Sequence, residues 1–288
     1  MPTRRKPASA VRRSRIAAAA VLLLVAGVVA YLALKPSIQQ IIRPTGCTAG
    51  PAAQGVQLSV SQAGIAAVIA GVASEQQMPI RAVAIAYATA LQESKLADLD
   101  YGTADSVGVF QQRPSQGWGS ARQIENPVYA TSRFFAALRR VPHYRRLPIY
   151  QAAQDVQHSA DGSAYAQYAT MGTDMALGFT GADPHGVWCS YGSPVGRPRL
   201  AAARQAMASV FGSLPGRLRA DPLASIRVHD PRQGWAVAAW LVSHAASYGI
   251  SRVEYRHYQW LAGRTSGRWT VVKPDADAPG GTPAVLFG

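Results

Sequence analysis

Between Pro79 and Glu93 the chain reads PIRAVAIAYATALQE, a helix with almost no face to turn toward water. Pro79 suits the first turn, where its missing N–H costs nothing. Ile80, Val83, Tyr87 and Leu91 share one side, and Ile85, Ala86 and Ala88 leave little polar surface elsewhere. A helix apolar all round is a buried one, so the fold must wrap several elements around it. The run ends in Gln92-Glu93-Ser94, which puts Glu93 where a buried element reaches open space. The negative end of the helix macrodipole and partial desolvation meet there. This is the setting in which a carboxyl group can work as a general acid.

A second run constrains topology. Residues Ile16 to Leu34 carry no charge over 19 positions, enough to span a bilayer core and longer than the apolar stretch of a cleavable signal. Ala26 to Ala30 offers a weak cleavage alternative. The preceding Arg4, Arg5, Lys6, Arg12, Arg13 and Arg15 predict a cytoplasmic N-terminus, with everything after Lys35 outside a cell membrane crossed once. That acid-free block holds six positive charges of a net +14, so the rest of the chain still carries +8. A basic exterior favours anionic partners such as acidic lipid headgroups or wall polymers. No aromatic-basic stripe or zinc-finger spacing occurs, so nucleic acid is not expected. His143, His158, His185, His229, His244 and His257 show no ligand spacing and G-x-S-x-G is absent, so neither a metal nor a cofactor is expected. Cys47 and Cys189 are the two cysteines. On the outer side such a pair suggests a disulfide, two unpaired buried thiols being the alternative. A bridge would close a 142-residue loop and contribute about 4–5 kcal/mol on the loop-entropy argument.

Six segments follow: a basic tail 1–15, a transmembrane helix 16–34, a Pro/Gly-bearing linker 35–57, a mainly α domain 58–190, a linker 191–220 and a small α+β domain 221–288. Helices are predicted over Ser61–Gln76, Val128–Arg140, Ile149–Ser159 and Ser163–Leu177. Residues 95–120 lack helical periodicity and are rich in Gly, Asp and Gln. In the last part Val237, Trp240, Leu241, His244 and Tyr248 make a helical stripe ended by Gly249. Short runs at Arg252–Tyr258, Trp269–Val272 and Ala284–Phe287 read as strands.

Glu93-Ser94, a short loop, then Ser106-Val107-Gly108-Val109-Phe110-Gln111 resembles the active-site signature of the soluble lytic transglycosylase and goose-type lysozyme group. Glu125-Asn126-Pro127-Val128-Tyr129-Ala130 resembles the helix start that follows the core motif in that family. The run from Ala84 to Tyr150, including Gln112-Arg113-Pro114-Ser115-Gln116-Gly117-Trp118-Gly119, resembles a membrane-anchored branch in actinobacteria. A later Ala-Tyr-Asn segment of the family is matched loosely by His158 to Tyr165. The resemblance implies a lysozyme-like fold, with residues 95–120 as its small β-region, and peptidoglycan as the partner. The C-terminal part weakly resembles a small extracellular domain related to zinc-dependent wall peptidases. It lacks their His/Asp/His ligand set, which implies a non-catalytic descendant.

Cutting a glycosidic bond needs a proton on the departing oxygen, and Glu93 is the candidate donor. A transglycosylase needs no second carboxylate, because the sugar's own hydroxyl closes an anhydro ring. A hydrolase usually uses one, and Asp105 is the candidate, ahead of Asp98 and Asp100; a turn-forming role is the alternative. Gly108 would let the backbone approach a sugar, and Gln111 and Gln112 offer amides for acetamido and hydroxyl groups. The resemblance gives Gln111 a sugar-binding role and puts Ser106 near the acetamido group. Tyr129 and Tyr165 are further candidates for the groove wall, with core packing as the other reading. Trp118 and Trp188 could stack on a sugar or be buried. Two other classes compete with the enzyme: a wall-binding protein without activity, and an accessory subunit of an envelope-spanning secretion or transfer complex.

Overall fold

The computed structural model describes residues 21–32, 45–51, 55–159, 161–192, 194–218, 223–228, 230–263, 267–272 and 284–288. Residues 1–43 and 44–288 are separate compact units. In the first, residues 21–32 form a helix, α1, whose Leu22, Leu23 and Leu24 are exposed. Among the described residues no helix is long and apolar enough to cross a membrane. Residues 16–20 and 33–34 of the expected span lie outside the described residues.

The second unit joins an α-rich part to an α+β part. Its elements run β1 (Gly46–Ala49), β2 (Val56–Leu58), α2 (Val60–Glu75), α3 (Ile80–Glu93), α4 (Ala121–Ile124), α5 (Pro127–Leu138), α6 (Ile149–Gln157), α7 (Ala169–Phe179) and β3 (Val187–Ser190). There follow α8 (Leu200–Phe211), β4 (Gly216–Leu218), β5 (Ala224–Arg227), α9 (Pro231–Ser243), α10 (Ala245–Tyr248), β6 (Arg252–Tyr255), β7 (Tyr258–Leu261), β8 (Thr270–Val271) and β9 (Ala284–Phe287).

The greasy helix is the axis. Every residue of α3 from Ala82 to Leu91 is buried, and α2, α5, α6 and α7 pack around it. Its alanines let α7 come close: a Cβ on Gly172 would sit 2.7 Å from the Ala84 carbonyl oxygen and 3.1 Å from the Ala88 nitrogen. Tyr87 ties the axis to α2 by donating its hydroxyl to the Ala66 carbonyl at 2.7 Å. Helix α2 starts on a capping box between Ser59 and Gln62. Helix α5 starts on Asn126, whose side chain accepts from the Val128 and Tyr129 amides.

Both stretches read as linkers contain structure. Within 35–57 lie β1 and part of β2, which join β3 in an antiparallel sheet of order β2-β1-β3. Within 191–220 lie α8 and β4. The buried Ala203, Met207, Val210 and Phe211 of α8 recur at helical spacing, a stripe masked in sequence by flanking Gly and Pro. Gly71 of α2 leaves the room that Val210 and Phe211 fill.

Six antiparallel strands in the order β4-β5-β9-β6-β7-β8 form the second sheet, with α9 against β6 and β9. Helix α9 also lies on α2, so one hydrophobic cluster runs through both parts. Cys47 and Cys189 face each other across β1 and β3 and are bonded. Trp260 donates its indole N–H to the Cys189 carbonyl at 3.0 Å, and Trp269 donates to Val187 at 2.7 Å. The bridge therefore locks the start of this unit to the strand on which the C-terminal sheet hangs. Reduction, or Cys47→Ser with Cys189→Ser, should cost about 2–5 kcal/mol of unfolding free energy. Denaturant melts with and without reductant measure this, and overlapping curves would count against it.

His244, where α9 gives way to α10, stacks on Trp240 with ring centroids 4.1 Å apart. Burial pushes its pKa down to about 4, against a smaller opposing effect of the hydrogen bond to the Trp240 carbonyl. The fold thus disfavours the charged ring, so the unfolded chain binds the extra proton and stability falls as pH drops from about 6.5 toward 4. His244→Gln should flatten that decline in thermal melts taken from pH 7 to pH 4. An unchanged slope would rule out His244 as its source.

Candidate active site

Glu93 is the last residue of α3 and is half-buried. The 3-10 turn Gly162–Tyr168 grips the helix tip at three points. Tyr165 donates its hydroxyl to Glu93 Oε1 at 2.5 Å, Gln167 donates to the Gln92 side chain at 3.3 Å, and Lys95 donates to the Tyr168 hydroxyl at 2.6 Å. The Tyr165 ring is 1% exposed, which fixes the direction of its hydroxyl. Burial first, and the bond to Glu93 second, hold its pKa well above the ordinary phenol value, so it acts as a donor. Among the described residues Glu93 Oε2 has no hydrogen-bond partner. Tyr165, matched loosely in sequence, is thus the residue that touches the candidate acid.

The loop after Glu93 is built by short-range bonds. Ser94 donates its hydroxyl to the Val109 carbonyl at 2.7 Å, tying the loop to the helix tip. Val107 and Gln112 exchange backbone bonds at 3.0 and 3.1 Å. The chain between them turns back through Gly108, at φ +76, and Gln111, at φ 48. From α6, Gln157 donates to the Phe110 carbonyl at 2.8 Å, and Phe110 stacks on Phe134 at 4.5 Å.

Several expected sugar contacts have other work. The Gln112 side chain is buried, donates to the Ala130 carbonyl at 3.3 Å and so anchors α5, while its Oε1 has no hydrogen-bond partner among the described residues. Gly108 is buried, and a Cβ there would lie 2.6 Å from the Ile124 carbonyl. Its glycine serves α4 packing and a left-handed turn. The buried Ser106 hydroxyl donates to the Thr103 carbonyl at 2.7 Å and lies 3.2 Å from Gln111 Oε1. The Gln111 amide N–H groups reach the Tyr101 and Gly108 carbonyls at 3.2 Å each. Tyr129 donates to the Trp118 carbonyl at 3.1 Å, which shapes the following loop. The structure joins Glu93 to Tyr165, and Ser106 to Gln111, and sends Gln112 and Tyr129 into scaffolding.

Asp105 is fully engaged. It accepts from the Ser115 amide at 2.8 Å and hydroxyl at 3.0 Å and pairs with Arg113 at 2.9 Å. The Ser115 amide first and Arg113 second hold its pKa down to about 2. This is an ionised loop staple, the turn-forming alternative. Asp98 behaves differently: burial of its carboxyl, then the Glu125 charge, pushes its pKa up to about 6, although the residue retains exposure.

Sequence reasoning missed Gly102 and Gln157. A Cβ on Gly102 would run into the Gln111 side chain, and no motif marks a glycine for that. Gln157 is an unremarked amide near a helix end. No protein-family model matches the chain, and no curated protein is similar to it.

Tyr165→Phe keeps the ring in the core and removes the bond to Glu93. Loss of one such bond should cost about 1–2 kcal/mol, read from urea melts against the parent chain. A cost near zero would mean that the hydroxyl does not hold Glu93.

Proposed function

We propose that this chain is a membrane-anchored enzyme that cuts the glycan strands of peptidoglycan, with Glu93 as proton donor. The observation that carries the reading is the Tyr165–Glu93 hydrogen bond. It fixes one carboxyl oxygen and leaves the other without a protein partner among the described residues, as a positioned general acid requires. The charge-free run Ile16 to Leu34 behind a basic tail supports the anchor, and the disulfide supports an oxidising compartment outside the cell membrane.

In the reaction Glu93 gives its proton to the bridging oxygen as the C1–O bond breaks. The muramic acid's own hydroxyl then bonds to C1, and its proton returns to the Glu93 carboxylate. One carboxylate suffices, which agrees with Asp105 being taken up by Arg113 and Ser115. The transglycosylase is therefore favoured over the hydrolase. The loose match of His158 to Tyr165 to the family's late segment favours a second reading, a wall-binding protein that holds glycan without cutting it.

Purified full-length chain should clear cell-wall substrate in a zymogram, and Glu93→Gln should lower the rate at least about 100-fold. Mass spectrometry of the products should give anhydro ends. Equal clearing by both proteins would remove Glu93 as the acid, and no clearing with retained wall binding would select the second reading.

A further inference from the structure

A cavity of about 670 Å³ opens between α5, α6 and the Gln116–Trp118 stretch, and Glu93 is not in its wall. Trp118, Arg133, Arg140, Val141, Asp155 and His158 stand in its wall. Arg140 and Asp155 are exposed and carry opposite charges. Among the described residues the ion pairs are Arg113–Asp105 and Arg252–Glu254, so these two face one cavity without pairing with each other. Arg133 spends one N–H on the Gly117 carbonyl at 3.2 Å and keeps the rest of its fork. Two opposed, unpaired charges beside an indole suit a ligand that brings its own anion and cation on a short chain. A plain polyanion would meet Asp155 as repulsion, and a neutral sugar would use neither charge.

The cavity is linked to the candidate acid through the loop. His158 follows Gln157, which holds the Phe110 carbonyl. Val109 accepts the hydroxyl of Ser94, the residue after Glu93. We infer that this cavity binds a short peptide bearing a free carboxylate and a free amine. Arg140 and Arg133 meet the carboxylate, Asp155 meets the ammonium, and Trp118 lies along the backbone. Such a peptide would be the stem carried by the glycan of the proposed function; that reading supplies its source, while the cavity supplies the recognition.

The test uses the full chain in detergent micelles, carrying Glu93→Gln so that nothing is turned over. Tryptophan fluorescence and calorimetry follow binding of a wall stem peptide acylated at its N-terminus, as the glycan-borne stem is, of its carboxyl-amidated form and of the form acetylated on its side-chain amine. Each modification should weaken binding about tenfold. Arg140→Gln should abolish the penalty of amidation and Asp155→Asn that of acetylation, as a double-mutant cycle requires. Absence of binding, equal affinity for all three peptides, or tighter binding of polyglutamate would overturn the inference. The modified peptides keep it falsifiable should either variant fail to fold. Peptide binding by the variant while the parent chain clears no wall would sink the glycan reading and spare this one. Clearing without peptide binding would do the reverse.

Discussion

The burial of α3 on every side is the constraint on which the rest of this unit depends. Ten consecutive residues from Ala82 to Leu91 are out of water, and that is tolerable only where neighbours supply close packing along the whole length. Alanine at alternate positions and Gly172 opposite let α7 approach backbone to backbone, while Tyr87 satisfies its one deep polar group on α2. A rod held this tightly delivers its terminal residue to one place. Glu93 gains its position from the core and its orientation from Tyr165.

The same economy governs the loop that follows. Its polar side chains, which in sequence look available to a ligand, are largely consumed in holding the loop's own shape: Ser94 to Val109, Ser106 to Thr103, Asp105 to Arg113 and Ser115. Irregular backbone cannot satisfy its own carbonyls as a helix does, so short polar residues do it. A motif rich in Ser, Gln and Gly is therefore as much a folding device as a binding surface.

The α+β part is continuous with the helical part. Trp260 and Trp269 hydrogen-bond to the carbonyls of the strand that carries Cys189, Tyr191 donates to Val242 at 2.6 Å, and α9 rests on α2. The disulfide thus fastens the first strand of the unit to a seam shared by both sheets.

The sequence by itself determined the buried axis and its polar tip, because a run apolar on all faces admits one environment. It also determined the α5 start at Asn126-Pro127 and the α9 stripe, and it suggested the pairing of the two cysteines, which the structure bears out. What the tertiary structure decided were matters of partner and distance. Helix α8 and strands β1 and β4 lie in stretches whose Gly and Pro content reads as linker, and in α8 it hid an apolar stripe; β1 pairs with β3 far along the chain. Gln111 and Gln112, adjacent in sequence, part ways at a tight turn: the first bonds the Tyr101 and Gly108 carbonyls, the second the Ala130 carbonyl. The joining of Glu93 to Tyr165, 72 residues later, had only a loose local signal, since a hydrogen bond between distant elements is written in packing.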